Sequence, residues 1–285
     1  MKPASFAYRA PTTKSDAIAR LNEYGDEAKI LAGGQSLVPA MNFRLIRPGV
    51  LIDINRIPNL DAIRVTPTHL HIGALARHAR FEQPLTDGPV ARLLPRVAAS
   101  IAHAPIRSRG TFGGSLAHAD PASEWCALAL ALNAEIITEG TSGPRTIPAS
   151  GFFTTIFTTA LRPDELLTEI RLPVLDANWR CGFAEYSRRA GDFALALAVV
   201  ALRIGNGRIT EARIALGGVA STPIPAPEAS ALLLGQPPSE ALYAEAAATA
   251  AAASDPPGDI HGSADYRRSL IAAMLKRALR QATAA

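Results

Sequence analysis

Cysteine is almost missing: Cys126 and Cys181 are the only two in 285 residues, and they stand 55 positions apart. A pair so placed offers no disulfide framework, which points to a reduced, cytoplasmic setting. An iron–sulfur cluster takes about four thiolate ligands, so this chain alone cannot house one. Long apolar runs are missing as well. The most apolar stretch, Phe193 to Leu202, has ten residues before Arg203 interrupts it; a helix needs about 20 to cross a bilayer, so no membrane span is expected. The opening Met1-Lys2-Pro3-Ala4-Ser5-Phe6-Ala7 lacks the apolar stretch of a secretory signal. Charge of one sign is not concentrated either. Of 29 basic residues 25 are arginine, and 25 acidic residues leave a net charge of +4. The pI of 9.3 therefore reflects a slight excess of base, and no nucleic-acid partner is implied. The densest basic group, Arg267, Arg268, Lys276, Arg277 and Arg280, reads as a solvated face or a subunit contact. Neither Gly-x-Gly-x-x-Gly nor Gly-x-x-x-x-Gly-Lys-Ser/Thr occurs, which removes two common nucleotide fingerprints. His69 and His71 share a strand face, but no cysteine or carboxylate cluster accompanies them, so they read as surface histidines and no metal ligand is assigned.

What is present is a soluble globular chain with 48% hydrophobic and 19% charged residues, long enough for two domains. Two glycine pairs stand out. Lys29-Ile30-Leu31 has the look of a short buried strand, and it runs into Ala32-Gly33-Gly34-Gln35-Ser36-Leu37 before Pro39 to Arg44 begin a helix. Bare backbone at such a change of direction lets successive N–H groups converge on an anion, with Gln35 and Ser36 adding side-chain donors. About eighty residues on, Gly113-Gly114 lies between Thr111 and Ser115 in a second loop, Arg109 to Glu124. Two such loops can grip one elongated ligand from both sides.

Taken in order, Ser15 caps a helix bearing Ile18, Leu21 and Tyr24, which Gly25 ends. Val50 to Ile54 forms a second strand, and the strand–helix–strand order suggests a small parallel or mixed sheet. Alternation from Ile63 to Ile72 predicts a hairpin, followed by a helix from Val90 to Ala102. After the second glycine loop come a helix at Cys126 to Leu132, a strand at Glu135 to Thr138 closed by a turn at Gly140 to Pro144, and a strand at Leu166 to Leu172. Pattern is lost between Val174 and Arg180, where the domain boundary falls. Gly205-Asn206-Gly207 then joins an apolar segment to Ile209 through Leu216 as a hairpin. The proline-rich Thr222 to Glu228 separates that sheet from helices at Glu240 to Ser254 and Ala264 to Thr283.

Together, Ala-Gly-Gly-Gln-Ser-Leu at 32–37 and Thr-Phe-Gly-Gly-Ser-Leu-Ala-His-Ala-Asp-Pro-Ala-Ser-Glu at 111–124 resemble the FAD-binding medium subunit of the molybdenum hydroxylases, the family of carbon monoxide dehydrogenase and the xanthine dehydrogenase relatives. The likeness extends to Leu51 to Asn55, Leu166 to Pro173, Ser187 to Ala194, Ala212 to Val219 and Asp265 to Arg268. It implies an α+β fold: a PCMH-type FAD-binding region of two subdomains, about 1–56 and 57–175, then a C-terminal domain, 176–285, with a three-stranded antiparallel sheet and helices. Ala32, Gly33, Gly34, Gln35, Ser36 and Leu37 would lie at the FAD diphosphate, with Thr111, Gly114 and Ser115 approaching from the other lobe. Ile101, Ala102 and Leu167 match apolar contacts to the cofactor, and Asp120 and Glu124 match acidic positions near its hydroxyls. Ser115 departs from the Asn or Asp that the family often carries, which leaves its backbone contact the firmer one. Phe183 and Tyr186 fall where the C-terminal domain reaches the flavin.

On this resemblance the chain is a flavin relay with no catalytic acid or base of its own. A large subunit with a molybdopterin-type cofactor would hydroxylate the substrate (carbon monoxide, an aldehyde or an N-heteroaromatic), and a small subunit with two [2Fe–2S] clusters would pass electrons to FAD and on to an external acceptor. A dimer of heterotrimers is the expected assembly. The alternatives are a self-sufficient FAD oxidoreductase of the same fold and a flavin-free assembly protein. From the residues alone, His118 can serve ligand or structure equally, Asp120 can cap the helix that follows, and Cys126 reads as a small core residue.

Overall fold

The computed structural model describes residues 1–284; Ala285, the last residue of the expected second domain, lies outside them. The chain begins with β1 (Ala7–Arg9), α1 (Lys14–Tyr24), β2 (Ala28–Leu31), α2 (Leu37–Asn42) and β3 (Val50–Asp53). These strands form a parallel sheet in the order β1-β3-β2. Alternation of strand and helix predicts β2 and β3, but three-residue β1 carries no pattern of its own. Helix α1 is capped by Thr13, whose hydroxyl accepts the Asp16 N–H, and not by Ser15, which sits inside it. Gly25 closes it at φ 50°, as its position suggests.

Next come β4 (Ile63–Val65), β5 (His69–Gly73), α3 (Pro89–Ser100), α4 (Ala104–Arg107), α5 (Phe112–His118), α6 (Glu124–Ala131), β6 (Glu135–Gly140), β7 (Gly143–Pro148), β8 (Phe153–Thr155), β9 (Thr158–Thr159) and β10 (Leu166–Pro173). An antiparallel sheet runs β4-β5-β10-β6-β7, and β8 and β9 form a small ribbon. The predicted hairpin is β4–β5. The turn expected at Gly140 to Pro144 is instead the tip of a β6–β7 hairpin in which Glu135 pairs with Pro148 and Gly140 with Gly143.

The remainder consists of β11 (Trp179–Tyr186), β12 (Ala196–Gly205), β13 (Arg208–Gly217), β14 (Ile224–Pro225), α7 (Pro227–Leu233), α8 (Glu240–Ala252) and α9 (Ala264–Thr283). Three long antiparallel strands make this sheet, with two-residue β14 added at its edge. Asn206 and Gly207 turn the β12–β13 hairpin at φ 51° and 72°, the left-handed pair a two-residue turn demands. The proline-rich stretch does not simply break the chain: Pro227 starts α7, where its missing N–H is no loss.

Strand β12 explains the most apolar run in the sequence. Ala196 through Leu202 are all buried, because both faces of the strand are covered. Leu197, Val199 and Ala201 join the core that contains Trp125, Phe112 and Ile170. Ala196, Ala198, Val200 and Leu202 join a second core with α8 and α9. A two-residue side-chain period thus splits one strand between two cores. A third core lies between α1 and the parallel sheet.

On the α9 side of β11, Gly182 allows helix and strand to meet backbone to backbone. A Cβ there would lie inside the Ala278 carbonyl and 3.0 Å from the Ala282 nitrogen. Neither neighbour is a flexible side-chain end. Gly182→Ala is therefore expected to lower stability by about 3 kcal/mol through overpacking, measured as a shift of the denaturant midpoint, whereas Gly207→Asn in the open hairpin turn, where only the left-handed φ resists a side chain, costs about 1 kcal/mol.

Candidate cofactor site

The two glycine stretches, far apart in sequence, touch. A Cβ on Gly33 would sit 2.7 Å from the Gly110 Cα and closer still to the Arg109 carbonyl, and one on Gly114 would lie 3.8 Å from the Ala32 Cβ. The contact is braced from below. The Asn55 amide donates to the Ala32 carbonyl at 2.8 Å and to Asp53 at 2.6 Å. Arg77 donates one guanidinium N–H to Asn55 at 2.6 Å and another to the Arg109 carbonyl, so Arg77 and Asn55 together link the two stretches. Burial, the largest single influence, pushes the Asp53 carboxyl up, but the bonds it accepts from Tyr8 and Asn55, with the nearby Arg56 charge, together outweigh it and hold the group below the ordinary carboxylate range.

The first stretch is accessible and its backbone is available. Gly34 has φ 73°. Among the described residues the N–H groups of Gly33, Gly34, Gln35 and Ser36 have no acceptor, while the Gly34 and Ser36 carbonyls receive Val38 and Ala40 as α2 begins. Gln35 bends back to the Gly33 carbonyl at 3.0 Å, and the Ser36 hydroxyl makes no capping bond. Consecutive free N–H groups beside a free hydroxyl suit anionic oxygens such as those of a diphosphate.

The second stretch differs from the expected loop. Phe112 to His118 is helix α5, because the Thr111 hydroxyl accepts the Gly114 N–H at 3.0 Å as an N-cap. Gly113 lies against Ala74, where a Cβ would approach the Ala74 Cα to 2.6 Å. Thr111 is thereby buried, while Gly114 and Ser115 remain half-exposed beside the first stretch. Ile101 and Leu167 belong to the main core at 7% and 5% exposure, whereas Ala102, at φ 41°, is half-exposed. Asp120 does not cap α6. Its carboxylate accepts the Ala122 N–H at 2.9 Å in a local turn, and Ser123 occupies the cap position. Glu124 follows in the first turn of α6, buried. His118 packs against Phe157 with ring centroids 4.9 Å apart and planes tilted by 30°, and burial lowers its pKa.

The C-terminal sheet reaches this region twice. Gly218 donates its N–H to the Pro121 carbonyl at 2.8 Å. Gly191 presses on His103 and on the Ala102 carbonyl, 3.0 Å from where its Cβ would be. Phe183 is buried in the core and Tyr186 packs edge-on against Tyr266; the aromatic that this loop exposes is Phe193, at 73%. His71 pairs with Glu169 at 3.0 Å. Burial pushes the Cys126 and Cys181 thiols up to about 12, which leaves both inert as nucleophiles.

Paired glycine stretches in contact, a row of free N–H groups and a covering C-terminal sheet define a two-lobed protein suited to an elongated anionic ligand. Residues 4–175 match the family described as the FAD binding domain in molybdopterin dehydrogenase, and residues 182–282 the CO dehydrogenase flavoprotein C-terminal domain. The chain belongs to the FAD-binding medium subunits of the molybdenum hydroxylases, as oxidoreductase components. It is 41% identical to the 6-hydroxypseudooxynicotine dehydrogenase complex subunit alpha of Paenarthrobacter nicotinovorans, over 99% of this chain and 96% of that one. It is 38% identical to the carbon monoxide dehydrogenase medium chain of Hydrogenophaga pseudoflava, over 100% and 99%. The solved carbon monoxide dehydrogenase from Hydrogenophaga pseudoflava that lacks the Mo-pyranopterin moiety superposes with a TM-score of 0.95 at 39% identity, covering 99% of this chain and 98% of that chain.

His78, which the sequence does not mark, supports the second stretch from beneath. Its backbone N–H donates to the Gly110 carbonyl at 3.0 Å, and its Nδ1 accepts from the Trp125 indole at 3.0 Å. Burial first, then Arg77 and Arg107, lower its pKa to about 4. The unfolded chain then binds more protons than the folded one between pH 6.5 and about 4, so stability falls as pH drops through that window, by about 3 kcal/mol in all. Thermal scans of wild type and His78→Gln are expected to show this acid loss in the wild type and its absence in the variant.

Proposed function

We propose that this chain is the FAD-carrying electron-transfer subunit of a heteromeric molybdenum hydroxylase. The observation that carries the reading is the contact of the two glycine stretches with free N–H groups at 33–36. Gly33, Gly34, Gln35 and Ser36 would hold the diphosphate, with Ala32 and Leu37 bounding the turn. Thr111, Gly114 and Ser115 would meet it from the second lobe, Asp120 and Glu124 would face the hydroxyl-bearing chain, and Ile101, Ala102 and Leu167 would supply the apolar wall. Bound FAD takes up electrons singly and releases them in pairs, which suits a relay between one-electron clusters and a two-electron acceptor. The protein's part is to bind, orient and shield. Residues 1–175 would form the FAD-binding domain and 176–285 the domain that covers it.

The partners on this reading are a large molybdopterin subunit and a small subunit with two [2Fe–2S] clusters, assembled as a dimer of heterotrimers in the cytoplasm, with an external electron acceptor. Among the described residues no helix is long and apolar enough to cross a membrane. Relatives of nearly equal identity, 41% and 38%, are named for 6-hydroxypseudooxynicotine and for carbon monoxide. Such different substrates support a division in which the substrate, whether N-heteroaromatic, aldehyde or carbon monoxide, is selected elsewhere in the complex.

A visible spectrum with gel and metal analysis of the natively purified protein tests the assignment. Flavin absorption with a large and a small chain, molybdenum and iron is the expected result. A colourless protein with intact loops favours the assembly-protein alternative, and flavin with turnover by the lone chain favours a self-sufficient oxidoreductase. Gly34→Val is expected to lose most of its bound flavin, measured as the flavin-to-protein ratio, with a lowered but still cooperative thermal transition. The new side chain conflicts with a φ of 73° and with Leu31 and Val38 at 3.1 and 3.2 Å, in the loop and away from the main core.

A further inference from the structure

Arg267 stands in the first turn of α9 and, although the sequence groups it with a solvated basic face, it is 5% exposed. One terminal nitrogen of its guanidinium donates to two carbonyls, Leu195 at 2.9 Å and Gly218 at 3.0 Å, and the other donates to the Asp259 carboxylate at 2.7 Å. Asp259 is itself fixed by the backbone N–H groups of His261 and Gly262, at 2.8 and 3.1 Å. The Arg267 Nε is buried with no partner among the described residues, so the bonds at the terminal nitrogens have to offset the cost of burying the cation. The two carbonyls lie where the β12–β13 ladder ends. Its last pair is Leu197 with Gly217. Beyond it Gly218 takes φ 74°, and a Cβ there would come within 2.7 Å of the Ala194 carbonyl. Two acceptors that converge past the end of a ladder need a donor between them, and a guanidinium nitrogen with two hydrogens supplies one to each.

Both carbonyls belong to segments that touch the cofactor region. Leu195 closes the loop 187–194, its N–H donating to the Tyr186 carbonyl at 2.8 Å, and within that loop Gly191 presses on His103 and on the Ala102 carbonyl. Gly218 donates its N–H to the Pro121 carbonyl at 2.8 Å, so the residue that Arg267 holds by its carbonyl holds the loop before α6 by its N–H. We propose that Arg267 is a positioning residue for the flavin site: one buried side chain sets both points at which the C-terminal sheet meets the cofactor region, Ala102 with His103 on one side and Pro121 on the other. A change at Arg267 reaches that region along two short paths, from Leu195 to Gly191 and across Gly218 to Pro121. The link to FAD rests on the function proposed above, whereas the clamp itself rests on the bonds alone.

The full chain, isolated with any subunits it retains, is compared with Arg267→Met, which keeps an apolar stem and removes every donor. Amide hydrogen exchange is expected to quicken in 187–195 and in 217–221 together, while the β6–β7 hairpin exchanges as in the wild type. FAD affinity of the stripped protein, followed by flavin fluorescence well below the thermal transition, is expected to weaken about tenfold, the loss to which charge-assisted hydrogen bonds convert. A purely structural role would lower Tm and leave that affinity unchanged. Asp259→Asn removes one of the three bonds, at an exposed partner; it is expected to give the same pattern at about threefold, and it serves if Arg267→Met does not fold. Quickened exchange with wild-type FAD affinity would overturn the positioning role, and unchanged exchange in either segment would overturn the clamp. Failure of the wild type to bind FAD would overturn the flavin reading, with the exchange test of the clamp left intact.

Discussion

The approach of Gly33 to the Arg109–Gly110 backbone is the contact on which the site depends. Main chain can come this close only where no side chain intervenes, and here a single Cβ would collide with a peptide group that cannot swing aside. Arg77 and Asn55 then turn proximity into fixed geometry, since Asn55 donates to a carbonyl of the first stretch, Arg77 to one of the second, and Arg77 to Asn55. The N–H groups at 33–36 meanwhile donate to no acceptor among the described residues. Gly33 is thus required first by the protein's own packing, and the row of N–H groups without acceptors follows beside it.

That order of causes also explains what was legible in the sequence. The two glycine pairs announce themselves, as do the Asn206–Gly207 turn and helix α9, because each is a local signal whose meaning does not depend on distant residues. Strand β1 gives no such signal: three residues become a strand only because β3, more than forty positions later, offers a parallel edge. Helix α5 is hidden because its two glycines are poor helix formers; the Thr111 cap and the bare face against Ala74 outweigh that preference. His78 and Arg77 look like ordinary surface polar residues until the fold places Trp125 over one and Asn55 beside the other. An Asp-x-Asn pair closing a buried strand, as at Asp53 and Asn55, is the one local hint of the brace.

The break in pattern between Val174 and Arg180 is real along the chain, yet it does not mark a break in packing. Trp179 and Phe183 of β11 and Leu197, Val199 and Ala201 of β12 share one core with Leu70, Ile72 and Ile170 of the preceding sheet. Removing the C-terminal half would strip one wall from that core. The same sheet sends Gly218 to Pro121 and Gly191 to Ala102 and His103, so it bears on the residues between and beside the glycine stretches. Since β12 is buried on both faces, a displacement felt at α8 or α9 is transmitted through the strand to the core beneath the site, because close-packed side chains move together and leave no slack. The region around the glycine stretches is therefore a property of the whole chain: the first lobe supplies the free N–H groups, the second supports them, and the C-terminal sheet contacts the connecting loops.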